Sequence, residues 1–160
     1  MLLYLADPAA ALPRVLRSLR GNGVAAFYDV NLAPGVSSFP VSPLHQLVGR
    51  CVSETFTRRG ESGDGLETRS GPSGRGCLTA SRLLSEALIG GGSEWMELCA
   101  PYAANALRSL IPMILEYGIA TEEEIDIDTF EQRYRAEVLR QRSVVQCWSC
   151  VGAWARETSP

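Results

Sequence analysis

Cys147-Trp148-Ser149-Cys150 is the sharpest chemistry-bearing motif in the chain. Two thiols at that spacing can serve as a redox pair or as half of a zinc site. A redox pair wants a helix N-terminus, whose dipole lowers a thiol pKa; a zinc site wants two further ligands. The chain holds one histidine and no second C-x-x-C. On a strand, residues three apart point to opposite faces, so these sulfurs diverge. The pair therefore reads first as β-strand cysteines, with no metal site. His45, the single histidine, falls one turn into an expected helix, behind a proline-rich loop and soon after an expected strand. Ligands of open α/β sheets bind beyond the carboxyl ends of strands. There His45 can be a substrate contact or a general base, or simply a helix-start side chain facing solvent. Gly90-Gly91-Gly92-Ser93 precedes a helix whose N-terminus can hold an anion. It lacks the G-x-G-x-x-G pattern, and a tight strand-to-helix turn explains it as well.

The rest of the chain must position these groups. It has 160 residues, 46% hydrophobic and 21% charged, the balance of one globular domain. The net charge is -3 and the fifteen basic residues, all arginine, are scattered. That excludes a general nucleic-acid binder, which needs a basic surface. No apolar run approaches a bilayer span. Met1 to Leu12 carries Asp7 and Pro8 and no early basic residue, so it makes a poor signal peptide. Five cysteines at irregular spacing then read as reduced thiols in a cytoplasmic protein with no membrane partner.

Pattern predicts the elements. Asp7 and Pro8 open a helix with Leu12, Val15, Leu16 and Leu19 on one face, stopped by Gly21-Asn22-Gly23. Val24 to Val30 reads as a buried strand, and the pair forms half of a β-α-β unit. Asn31 to Pro43 is a loop. A helix runs from Leu44 to Arg59, with Leu44, Leu47, Val48, Cys51, Val52, Thr55 and Phe56 inward. Residues 60–80, rich in glycine, read as a flexible loop. Ser81 to Ile89 reads as a strand or a short helix, and Ile89 abutting Gly90-Gly91-Gly92 favours the strand. Ser93 caps a helix to Tyr117, with a break or kink at Pro101 and a bend at Pro112, and Gly118 ends it. Thr121-Glu124 and Asp128-Glu131 match capping boxes. The second opens a helix to Arg142, with Phe130, Tyr134, Val138 and one of Leu139 or Gln141 inward, and Ser143 to Ala155 closes the chain as a strand.

Three segments together resemble one family. Leu3-Tyr4-Leu5-Ala6-Asp7-Pro8, continuing through Leu19-Arg20-Gly21-Asn22-Gly23 into Val24-Ala25-Ala26-Phe27, is similar to a helix-and-strand stretch of class I S-adenosylmethionine-dependent methyltransferases. Asn22 stands where that family usually has proline or glycine. Ile125-Asp126-Ile127-Asp128-Thr129-Phe130, with Arg133, Arg135 and Glu137, resembles a helix near the end of those enzymes, and Val151-Gly152-Ala153-Trp154-Ala155-Arg156 their last strand. The resemblance implies an α/β fold: the C-terminal half of a Rossmann-like sheet with an inserted helical cover, one partial methyltransferase domain over residues 1–160. It implies methyl transfer from S-adenosylmethionine to a small-molecule acceptor. The family's glycine-rich cofactor turn would precede Met1, so the chain alone should bind the cofactor poorly. Leu3, Tyr4 and Leu5 are then the nearest cofactor-pocket residues. Asp29 and His45 are the catalytic candidates. Tyr28 and the helical stripe of Trp95, Cys99 and Tyr102 lie toward the acceptor, although core packing explains that stripe equally. The alternatives are a non-catalytic interaction module, pairing as a homo-oligomer through an exposed sheet edge, and a thiol or metal protein built on Cys147 and Cys150.

Overall fold

A computed structural model describes residues 14, 15, 17–59 and 78–157. The expected helix from Asp7 falls almost wholly outside them, as do residues 60–77 of the expected loop and the cofactor candidates Leu3, Tyr4 and Leu5. The elements in order are strand β1 (Val24–Asn31), strand β2 (Ser37–Phe39), helix α1 (Pro43–Arg58), strand β3 (Leu78–Gly91), helix α2 (Gly92–Glu116), the single turn α3 (Glu122–Ile125), helix α4 (Ile127–Gln141) and strand β4 (Val144–Glu157).

The sheet overturns the expected Rossmann half. Its four strands run β1-β4-β2, with β3 also paired to β4. β4 is antiparallel to β1, from Val24 opposite Arg156 to Asn31 opposite Ser149. It is antiparallel to β2 as well, from Ser37 opposite Gln146 to Phe39 opposite Val144. The arrangement is α/β with a mostly antiparallel sheet, not the parallel sheet that a β-α-β reading demands. The reason is visible along β1. Ala25, Asp29 and Asn31 are buried while Val24, Ala26 and Tyr28 are exposed. Such alternation suits an antiparallel strand wet on one face; a parallel strand buried on both faces carries an apolar run throughout.

Among the described residues, two compact units divide the chain. One holds β1, the part of β3 up to Glu86 and the part of β4 from Ser149. A turn leads into β1: Gly23 N–H donates to the Arg20 carbonyl at 2.7 Å. The left-handed residue there is Asn22, at φ 64°, not a glycine. Asparagine tolerates that region better than most side chains.

The second unit, residues 34–59 and 87–148, is helical at its core. α2 packs against both α1 and α4. Its inner stripe of Met96, Cys99, Ala100, Ala103, Ala104, Leu107 and Ile114 meets Val48, Cys51 and Phe56 of α1 and Phe130, Tyr134 and Val138 of α4 in one buried set. Small alanines at the centre of α2 let neighbouring helices come near. Gly49 instead lets the residue before β2 lie against α1, since a Cβ there would be 2.3 Å from Val36 Cγ2. The inward face of α1 is rotated from expectation: His45 and Gly49 are buried, Leu44 and Leu47 only half-buried.

Several helix ends follow their sequence signals and others do not. Gly118, at φ 62°, closes α2; Ile119 N–H bonds to the Ile114 carbonyl at 2.9 Å and Gly118 N–H to the Leu115 carbonyl at 3.0 Å. This is the Schellman pattern that a glycine permits. Thr121 and Glu124 form the expected capping box. Asp128 and Glu131 do not: α4 starts two residues earlier, with left-handed Asp126 at its cap and Asp128 inside the first turn. Asp128 still suits the positive end of the helix dipole there. Ser93 does not cap α2, whose cap position is Gly91. Pro101 and Pro112 sit within one continuous helix of 25 residues. That helix also corrects the expectation about bilayer length. It is long and apolar enough to span one, with a mean hydropathy of 1.2 over its most apolar window.

Candidate functional site

The sequence candidates fall into two groups, one in each unit. Tyr28 and Asp29 lie on β1, opposite Gly152 and Val151 of β4. Alternation along the strand turns them to opposite faces. Asp29 is buried, and one of its carboxylate oxygens accepts the Val30 N–H at 3.1 Å. Tyr28 is 60% exposed, and its hydroxyl donates to Glu86 Oε1 at 2.9 Å. Hydrogen bonding with Cys150 and then with Glu86 pushes the phenol's pKa up, because each partner favours the neutral, proton-bearing form. The phenol is therefore a neutral donor at any physiological pH. Glu86 was not among the sequence candidates; its place on β3 was legible, but its facing Tyr28 across strands 58 residues apart was not.

His45 belongs to the second group and is buried to 2%, not turned to solvent. Ser42 and Pro43 explain how α1 places it. Ser42 is the N-cap, and its hydroxyl oxygen accepts the His45 N–H at 3.2 Å, while Pro43 suits the first helical position. From α4, Glu137 Oε1 accepts both the Ser42 hydroxyl at 2.6 Å and the Leu44 N–H at 3.0 Å. The carboxylate thus complements the positive end of the α1 dipole and fixes the helix start against α4. Sequence reading missed this Ser42–Glu137 bridge; the Ser-Pro pair before α1 was the available signal.

Both ring nitrogens of His45 are engaged. Nε2 is 3.0 Å from the Gln146 carbonyl and Nδ1 is 2.7 Å from the Tyr134 hydroxyl. A carbonyl only accepts, so Nε2 carries the proton of the neutral ring. Nδ1 then accepts the Tyr134 O–H. Burial lowers the imidazole pKa from its ordinary value, outweighing the carbonyls of Gln146 and Ser37, which raise it. The Tyr134 ring stacks on both His45 and Phe130 with centroids 5.8 Å away, interplanar angles 8° and 29°. Burial, foremost, drives the Tyr134 phenol pKa up as well.

Cys99 extends the chain of contacts. Its Sγ lies 3.6 Å from the Tyr134 hydroxyl and 3.9 Å from Cys147 Sγ. Of the C-x-x-C pair, then, Cys147 meets a cysteine of α2, whereas Cys150 interacts with Tyr28. Their partners differ as expected for residues three apart on a strand. Among the described residues, no group of three His, Cys, Asp or Glu side chains is placed to hold a metal ion.

The remaining candidates do not join this network. Tyr102 is 64% exposed on α2. Trp95 is half-buried in the first turn of α2, with its indole N–H enclosed and lacking an acceptor among the described residues. A Cβ on Gly90 would lie 2.4 Å from Trp95 Cδ2, and one on Gly91 would lie 2.9 Å from the Ser143 carbonyl. The space a glycine turn would offer a nucleotide cofactor is thus filled at Gly90 and Gly91 by the protein's own atoms, and this turn does not fit S-adenosylmethionine. A cleft of about 240 Å³ lies elsewhere, lined by Ile111, Leu115, Glu122 and residues 125–128, and touches no candidate. It is below the size usual for small-molecule sites.

No family model matches the chain, and no curated protein matches it either.

Proposed function

We propose that the chain contributes the acceptor side of methyl transfer from S-adenosylmethionine to a small molecule. The antiparallel sheet does not carry this reading. Its support is the register of β1 on β4, in which two of the three segments that resemble methyltransferases are hydrogen-bonded neighbours across more than a hundred residues of chain. That register sets the candidates Tyr28 and Asp29 opposite Gly152 and Val151 of the terminal motif. An exposed neutral phenol, its single O–H held by the Glu86 carboxylate, leaves phenol and carboxylate oxygens to accept hydrogen bonds from a methyl acceptor's O–H or N–H. Positioning of this kind is most of what a methyl transfer asks of a protein, with a carboxylate to take a proton where the acceptor loses one. His45 has no part in this, since both its nitrogens are committed inside the second unit.

Calorimetric titration with S-adenosylhomocysteine tests the reading. Weak heat, seen only toward high micromolar ligand, is expected, with Tyr28→Ala leaving that heat intact and weakening only acceptor binding. No heat at high micromolar ligand ends the enzyme reading for this chain. A second reading, a module that pairs with another chain, is favoured by Leu84, Leu88 and Ile89 of β3, each more than half exposed. Sizing chromatography separates the two: a monomer at every concentration removes self-pairing.

A further inference from the structure

Cys99 and Cys147 are the nucleophilic pair that the proposed methyl transfer does not use. They come from different elements, α2 and β4, and their pairing is distinct from that of the C-x-x-C cysteines, whose sulfurs diverge along one strand. Their sulfurs are 3.9 Å apart. A disulfide needs about 2.05 Å, a gap of under 2 Å that side-chain rotation can close. The two thiols differ in access: Cys99 is 6% exposed and Cys147 is half-buried. A small oxidant therefore reaches Cys147 first, with Cys99 waiting behind it.

We propose that Cys147 and Cys99 form a hydroperoxide-reactive dithiol, in which Cys147 is oxidised first and Cys99 resolves it to a disulfide joining α2 to β4. The Cys147 thiolate attacks one peroxide oxygen and breaks the O–O bond. It becomes a sulfenic acid, and hydroxide leaves and takes a proton as water. The Cys99 thiolate then attacks the Cys147 sulfur, the S–O bond breaks, and a second hydroxide leaves as water. Two thiols and one hydrogen peroxide thus give one disulfide and two waters, and the two electrons lost by the sulfurs reduce the peroxide. Resolution needs Cys99 as thiolate. In the reduced pair, hydrogen bonding with Cys147 brings the Cys99 thiol down to about 7, against the burial that raises it. Cys51 is the internal contrast: it is fully buried, and burial pushes its thiol up to about 11.

The test treats the native chain with hydrogen peroxide, alkylates the remaining thiols and digests with trypsin and chymotrypsin. Cleavage at Trp148 separates Cys147 from Cys150. The expected product is two hydrogens lighter than the starting chain and contains a Cys99–Cys147 cross-linked peptide, with Cys51 alkylated as before. Cys150→Ser should cross-link as the wild type does. Cys99→Ser, or Cys99→Ala where the first does not fold, should leave Cys147 as a sulfenic acid captured by dimedone. A Cys147–Cys150 link in the wild type overturns the proposal, as does full alkylation of Cys99 after peroxide treatment; neither result needs a variant.

Discussion

Two tyrosines divide the molecule into unlike regions. Tyr28 lies on β1 with 60% of its surface exposed, and Tyr134 lies in α4 with none. Both phenols have raised pKa values, for opposite reasons. Hydrogen bonding with Cys150 and Glu86 raises Tyr28 at the surface; burial first, and Cys99 second, raises Tyr134 in the core. Tyr28 is available to a ligand and contributes little to packing. Tyr134 holds His45, Phe130 and Cys99 in one place and has no face left for a ligand. The contrast separates the candidate residues into a group that can meet an acceptor and a group that specifies the helical core. It also shows why a histidine and a tyrosine 2.7 Å apart need not be a catalytic pair: buried polar groups must be satisfied, and these satisfy each other.

Substitutions that break this contrast should do so unequally. Tyr134→Ala removes a fully buried ring and leaves His45 Nδ1 without its donor, so chemical denaturation should show a loss of about 4 kcal/mol. His45→Ala strands the Tyr134 hydroxyl and the Gln146 carbonyl, and a loss of about 3 kcal/mol is expected by the same measurement. Glu137→Ala frees the Ser42 hydroxyl and the Leu44 N–H at a half-buried helix start, at a cost of about 1 kcal/mol. On the acid side, a pH effect rides on His45. Burial lowers its pKa from 6.5, so below 6.5 the unfolded chain binds the proton more readily than the folded one. The stability this ring supplies is complete above 6.5 and declines as pH falls from there toward the lowered folded value. Thermal melts across that window should show the decline, and His45→Gln should flatten it. Tyr28→Phe should leave the thermal midpoint where it is, while removing one late-titrating phenol from the ultraviolet pH titration. A large drop in midpoint on Tyr28→Phe would end the division between the two regions.

Much of the helical unit was legible. Periodicity gave α1, α2 and α4 nearly to their ends, and the inward set Phe130, Tyr134 and Val138 is buried as the 3.6-residue period requires. Gly118 and the Thr121–Glu124 box worked because their signals are local: a backbone that needs φ > 0, and a side chain that reaches three residues ahead. The second capping box failed for a local reason too. Asp126 already occupied the start of α4, with Thr129 Oγ1 donating to its carboxylate. The sheet was misread because a short apolar run such as Val24 to Val30 shows that a strand exists, and not which way its neighbours run. Only the pairing with β4 fixed that direction.

From its residues alone, the chain determined where most helices lie, which of their faces turn inward, and that Cys147 and Cys150 cannot share a face. Those properties depend on contacts within a few residues. Strand direction, the enclosure of His45 and the choice of Cys99 as the neighbour of Cys147 belonged to the tertiary structure. Each joins groups between 48 and about 130 residues apart. A hydrogen bond or a thiol contact over such a separation is set by packing of whole elements, and no local period or spacing encodes it.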